Sequence, residues 1–232
     1  MRIAAFAAWF AAVYAAALLW FFPVDALVEA QTQTVEARSG LRLRWKNERW
    51  ALWRSRIDDV TVADARGHVW LRLSSLELRT GIDGIHVEGT APWGGLNGTV
   101  RLDGVEVDLD GYPLPAMESK ALEEGRLRAH LVLLQAKSSA HGTFNISGRG
   151  RLLVYEGPVN ISGTFEAHPT EGQASVELLG DRLRGHGELT FNVAGGDWSK
   201  AQVSGPLRVE QRGATLTLAV GGPLDNLTIK TQ

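Results

Sequence analysis

From Leu41 to Ile229 the chain repeats one pattern, apolar side chains at every second position, interrupted by short clusters of Gly, Asp, Asn, Pro and Ser. Successive side chains of a β-strand point to opposite faces, so a period of two marks strands with one buried face. Leu41-Arg42-Leu43-Arg44-Trp45 alternates strictly. Leu127, Ala129, Leu131 and Leu133 share a parity, as do Phe144 and Ile146, then Val159, Ile161 and Phe165, then Leu189 and Phe191. Thr143, Asn145, Ser147, Asn160, Ser162, Thr190, Asn192, Thr215 and Thr217 stand on the opposite parity. The spacing predicts roughly a dozen strands, oily on one face and wet on the other.

Two parity slips interrupt the pattern. Leu73 and Leu76 fall on opposite parities, which predicts a β-bulge at Ser74-Ser75. The slip at Asp103-Gly104 reads as a bulge or a tight turn. Asp58-Asp59 reads as a turn rather than an acid/base pair. Pro113 to Leu122 breaks the alternation with a loop, dividing residues 41–232 into candidate halves 41–112 and 123–232. Glycines inside strands, such as Gly98, Gly163 and Gly187, mark places to bend. An open sheet of this many strands curls, so the expected fold is mainly β, an elongated, curled antiparallel sheet shaped as a half-pipe or open barrel. Its apolar inner face is the candidate groove, with Phe144, Ile146, Ile161, Phe165, Leu189 and Phe191 as its large side chains.

The first residues follow another rule. Ile3 to Phe22 is a run of twenty residues without a charge. As a helix it measures ~30 Å, the thickness of a bilayer's hydrocarbon core. This predicts a transmembrane anchor over 1–23, with Ile3, Trp9, Phe10, Leu18, Leu19, Trp20, Phe21 and Phe22 in lipid or at its interface. A cleaved secretory signal fits less well, because Leu18 to Phe22 prolongs the apolar run beyond the small residues Ala15-Ala16-Ala17. Arg2 on one side and Asp25 and Glu29 on the other place the N-terminus in the cytoplasm and the bulk outside. Val24, Leu27, Val28, Gln31 and Val35 recur at helical spacing, which predicts a short amphipathic stalk helix over 24–40. Residues 41–56 then interleave six basic residues with Trp45, Trp50 and Trp53. That mixture suits either anionic headgroups or solvated arginines beside a tryptophan-filled core.

Composition removes several chemistries. The chain has no cysteine, which excludes disulfides and thiolate chemistry, and its net charge of −2 gives nothing for nucleic acid to bind. The six histidines are scattered singly, with no metal-site spacing. Glu106, Asp108 and Asp110 form an acidic outward face without the pattern of a calcium loop. No nucleophile elbow or dinucleotide fingerprint occurs. No catalytic, cofactor-binding or metal residue is expected, and the chain reads as a non-enzyme.

Phe21-Phe22-Pro23-Val24-Asp25-Ala26-Leu27, Gly40-Leu41-Arg42-Leu43, and Trp93-Gly94-Gly95-Leu96-Asn97-Gly98-Thr99-Val100 leading into Leu102-Asp103-Gly104-Val105 together resemble the protein N family of the bacterial type II secretion system. The closing Gly221-Gly222-Pro223-Leu224-Asp225-Asn226-Leu227-Thr228-Ile229 is similar to the ending of AsmA-like envelope proteins. The resemblance implies a single-pass protein of the bacterial inner membrane with a periplasmic β domain. Its expected role is a non-catalytic accessory subunit whose partners are the inner membrane and other secretion subunits. The rival expectation is an AsmA-like or lipopolysaccharide-export-like carrier that takes a lipid into its apolar groove.

Overall fold

Across the ladders of residues 139–211 most apolar residues face an apolar residue or a glycine, because both strands alternate with the same period. The structure, a computed structural model, describes residues 33, 36, 42–49, 51, 53–63, 67, 69–114, 122–134, 138–152, 155–193, 201–211, 213–223 and 228–231. Fourteen strands follow one another in sequence order as a single open antiparallel sheet that does not close on itself. Helix is almost absent among the described residues, Gln33 and Glu36 being helical. No described helix is long and apolar enough to cross a membrane. The expected anchor lies outside the described residues, and so does the expected stalk apart from those two positions.

The chain divides into two compact units, Met1–Ile82 with Gly89–Ala91, and Asp83–Glu88 with Pro92–Gln232. The division falls around the fourth strand. The first unit holds β1 (Arg42–Arg49), β2 (Arg54–Ala63) and β3 (Val69–Thr80). The end of β4 (Ile85–Ala91) belongs to the first unit and its start to the second. The second unit continues with β5 (Gly94–Val100), β6 (Gly104–Leu114), β7 (Glu124–Leu134), β8 (Ser139–Leu152) and β9 (Tyr155–Ala167). It ends with β10 (Glu171–Gly180), β11 (Leu183–Asn192), β12 (Gln202–Gln211), β13 (Ala214–Pro223) and β14 (Thr228–Thr231).

In the first unit a crease runs across three strands. Ser55 and Ile57 are buried on one parity of β2 and Val60 on the other, with Asp59 between them at φ 53°. In β3 the apolar parity changes between Leu73 and Leu76, opposite the same point. The β2–β3 pairing keeps its register from Asp58↔Ser75 to Val60↔Leu73, so this is no one-strand bulge. Both strands turn over together, and Ser74-Ser75 is the β3 side of that fold. On β1 the register shifts twice around Lys46, next to Asn47 at φ 48°. Asp58 and Asp59 thus lie within a strand, not in a turn. Asn and Asp tolerate the left-handed region because their short side chains bond locally, which is why they mark the crease.

In the second unit several links are tight turns. Arg101 N–H donates to the Gly104 carbonyl at 2.8 Å, so the slip at Asp103-Gly104 is a turn. Asp181-Arg182 joins β10 to β11, with Arg182 at φ 65°. β6 carries a bulge the alternation does not announce: its pairing with β7 shifts between Leu109 and Tyr112, at Gly111 with φ 77°. The extra residue turns Tyr112 and Leu114 onto the face of Leu109. The Trp93 and Tyr112 rings meet there in a T-shaped pair, centroids 5.4 Å apart.

Candidate functional site

Taking the registers strand by strand collects one face of the second unit. It bears Val105, Val107, Leu109, Tyr112 and Leu114 of β6, and Leu127, Ala129, Leu131 and Leu133 of β7. β8 adds Ala140, Phe144 and Ile146, and β9 adds Tyr155, Val159, Ile161, Phe165 and Ala167. Val176 and Leu178 of β10, Leu183, Leu189 and Phe191 of β11, Val203, Leu207 and Val209 of β12, and Leu218 and Val220 of β13 continue it. All six groove candidates, Phe144, Ile146, Ile161, Phe165, Leu189 and Phe191, lie on this face, each half-buried.

The face is unevenly covered. Leu122, Tyr155, Val159, Leu178, Leu183, Val209 and Leu218 form a buried cluster, with Leu183 and Leu218 at 0% exposure. Leu122 precedes β7 and lies over Gly125 and Gly148. A methyl group at Gly125 would lie 2.8 Å from its Cδ2, and one at Gly148 3.0 Å from its Cδ1. Tyr155 closes the same end: its hydroxyl donates to the Pro158 carbonyl at 2.6 Å and accepts from Asp181 N–H at 3.1 Å. A buried hydroxyl needs such partners, and here it ties the start of β9 to the β10–β11 turn.

Toward the other end of β5 to β9 the cover thins. No large apolar side chain of this face on β5, β6 or β7 is buried, and Val100 and Leu133 are 37% and 45% exposed. A cleft of about 410 Å³ opens there, lined by Val105, Leu133, Leu134, Ala140, Ala167 and Pro169 together with Gly104, Ser138, Ser139 and His168. Farther along the same face, outside the lining of the cleft, aromatic rings lie over strand glycines. Phe144 lies over Gly163, its opposite number on β9, and Phe165 over Gly142 on β8, their ring atoms 2.8 and 3.0 Å from where a methyl would sit. Sequence reasoning listed Val105 and Leu133 in the alternation without singling them out. It passed over Ala140 and Ala167 because it searched for large side chains, whereas a cleft is made where side chains are small.

The opposite face is polar and charge-matched. Asp108 on β6 meets His130 Nδ1 at 2.8 Å, Asp110 meets Arg128 at 2.8 Å, and Glu106 meets Arg101 at 3.2 Å. The acidic strand expected from the sequence is thus answered mainly by its neighbour. Ligand atoms of Glu106, Asp108 and His130 lie within 4.8 Å of one another, close enough to hold a metal ion. Their spacing along the chain hides this, since the group forms across a ladder. The pairs they already make account for the arrangement, and exposed pairs of this kind contribute about 0–1 kcal/mol each. His86 bonds the Asp83 carboxylate at 3.1 Å and holds it below the usual carboxylate range, while burial pushes the Tyr112 phenol up.

The arrangement brings no nucleophile, base and orienting group together among the residues described. It presents an apolar surface, closed at one end and open at the other. No protein family, characterised protein or solved structure matches this chain.

Proposed function

We propose that this protein is a non-catalytic, membrane-tethered envelope component that shelters an acyl chain on the apolar face of its second unit. The observation that supports this is the uneven cover of that face: fully buried around Leu183 and Leu218, half-open from Val105 to Phe165. The buried cluster packs against Leu114 of β6 and Ile146 of β8 at one end of those strands, whereas at their other end Val100 and Leu133 stay exposed. Apolar surface left in water costs about 25 cal/mol per Å², so a contiguous open strip calls for an occupant. A hydrocarbon tail suits it, because the strip offers aliphatic and aromatic side chains. The run Ile3 to Phe22 supplies the tether, in a bacterial inner membrane with the sheet on the periplasmic side.

Photo-crosslinking residues at Phe144, Ile161 and Phe191 test the reading, with one at Leu183 as the buried control. Lipid adducts at the first three and none at Leu183 are expected. Absence of adducts at all four positions, with normal folding, overturns it.

A second reading, an accessory subunit of a type II secretion machinery, draws on the resemblance to the protein N family and on the sheet's far edge. Among the described residues β14 pairs with Leu218 to Gly221 of β13 and not with Ala214 to Thr217, and Leu216 within that stretch is 40% exposed. Open backbone of this kind accepts a strand from a partner. Gene deletion followed by measurement of exoprotein release tests this reading, and unchanged release rejects it.

A further inference from the structure

The first unit carries a surface of a different kind. The polar side of β1 to β3 gathers Arg42, Arg44, Lys46, Arg49, Arg54, Arg56, Arg72 and Arg79, all exposed. Three carboxylates answer them: Asp59 pairs with Lys46, Asp58 with Arg56, and Glu77 with Arg54, Arg56 and Arg79. Among the described residues Arg42, Arg44, Arg49 and Arg72 make no ion pair. Register sets Arg44, Thr61 and Arg72 in one row across the three strands. Arg49 lies opposite Arg56, and Arg54 opposite Arg79. Among the described residues, the polar side of β1 to β3 therefore sets eight basic residues against these three carboxylates, in a chain whose net charge is −2.

We propose that this face lies on an anionic phospholipid bilayer. Charge complementarity is the first argument: guanidinium forks bind phosphate oxygens bidentately. Chain continuity is the second. Arg42 follows Phe22, the last residue of the apolar run, by twenty positions. Even fully extended, that linker spans no more than about 70 Å, so the tether keeps the face within reach of a bilayer. The site is independent of the apolar cleft, and either can fail without the other.

The full chain has no cysteine, so Thr61→Cys places a single environment-sensitive fluorophore between Arg44 and Arg72. Thr164→Cys, on the polar face of β9, is the control. The labelled proteins are reconstituted through their apolar run into nanodiscs of phosphatidylcholine alone or enriched in phosphatidylglycerol. Emission at position 61, and not at 164, is expected to rise in the anionic discs. It should return to the neutral-disc value in about 1 M salt, where the Debye length is ~3 Å. Neutralising Arg44 and Arg72 to Gln should lower the docked-to-free ratio about fivefold per residue. Arg42→Gln with Arg49→Gln repeats the test at exposed positions away from the label. Equal emission in both discs overturns the proposal, as does a rise that survives high salt and both double variants. A response to polyglutamate but not to phosphatidylglycerol overturns it in favour of an acidic protein partner.

Discussion

The Phe144 ring on β8 lies directly over Gly163, its register partner on β9, with Cζ 2.8 Å from where a methyl group would project. Phe165 repeats the arrangement in reverse over Gly142. An aromatic ring laid over a strand glycine recovers the packing that the missing side chain forgoes. Each ring takes the space that a side chain at the facing position would need.

Gly163→Ala should be poorly tolerated. The new methyl meets Phe144 and, closer still, the Ser175 carbonyl on β10, which is ladder backbone and cannot swing away. Overpacking of this kind costs typically about 1–3 kcal/mol, and each kcal/mol lowers Tm by about 2–4 °C in a chain this size. Thermal unfolding of the variant measures it. A Tm within error of the parent would show that the ring and strand yield freely.

Leu183→Ala and Leu133→Ala separate the closed end of the face from the open end. Leu183 is fully buried and should cost about 2–5 kcal/mol, whereas Leu133, 45% exposed, should cost well under about 1 kcal/mol. Urea unfolding followed by circular dichroism reads both. Equal losses would mean that the face is covered uniformly, and the acyl-chain reading would lose its footing.

Tyr155→Phe removes one oxygen and orphans two backbone groups. The Pro158 carbonyl and the Asp181 N–H lose their partner at a site almost closed to water, at a cost of about 1–3 kcal/mol. A shift in the urea midpoint with an unchanged slope is the expected result. No shift would mean that solvent replaces the hydroxyl.

Glu77 should make folding sensitive to acid. Hydrogen bonds from Arg79 and Arg54 hold its carboxyl below 4.5, its ordinary value. A carboxylate depressed in the folded state adds stability that is complete above the unfolded value and is lost as pH falls through the folded one. Stability should therefore decline as pH drops below 4.5, and Glu77→Gln should flatten part of that decline. Parallel pH profiles for parent and variant would contradict the assignment.

Period-two alternation was enough to predict a mainly β chain of roughly a dozen strands, where fourteen are found, and to sort most side chains by face, because the side-chain direction of a strand is a local property. Phe144, Ile161 and Phe191 could be placed on one surface by parity alone. The crease was half legible: Leu73 and Leu76 betray a parity change, but its sharing with Asp59 and Asn47 depends on register with β2 and β1. The bulge at Gly111 was missed, since Asp110-Gly111 reads equally as a strand end.

What the tertiary structure alone decided is which part of the oily face is covered, and which charges meet. Leu183 and Leu133 are the same residue on the same face, one sealed and one open, and nothing in their neighbouring residues distinguishes them. His130 reaches Asp108 across a hairpin of twenty-two residues, and Arg44 joins Arg72 through Thr61. Such meetings depend on how strands register and where a sheet curls, properties summed over the ladder that no window of sequence contains.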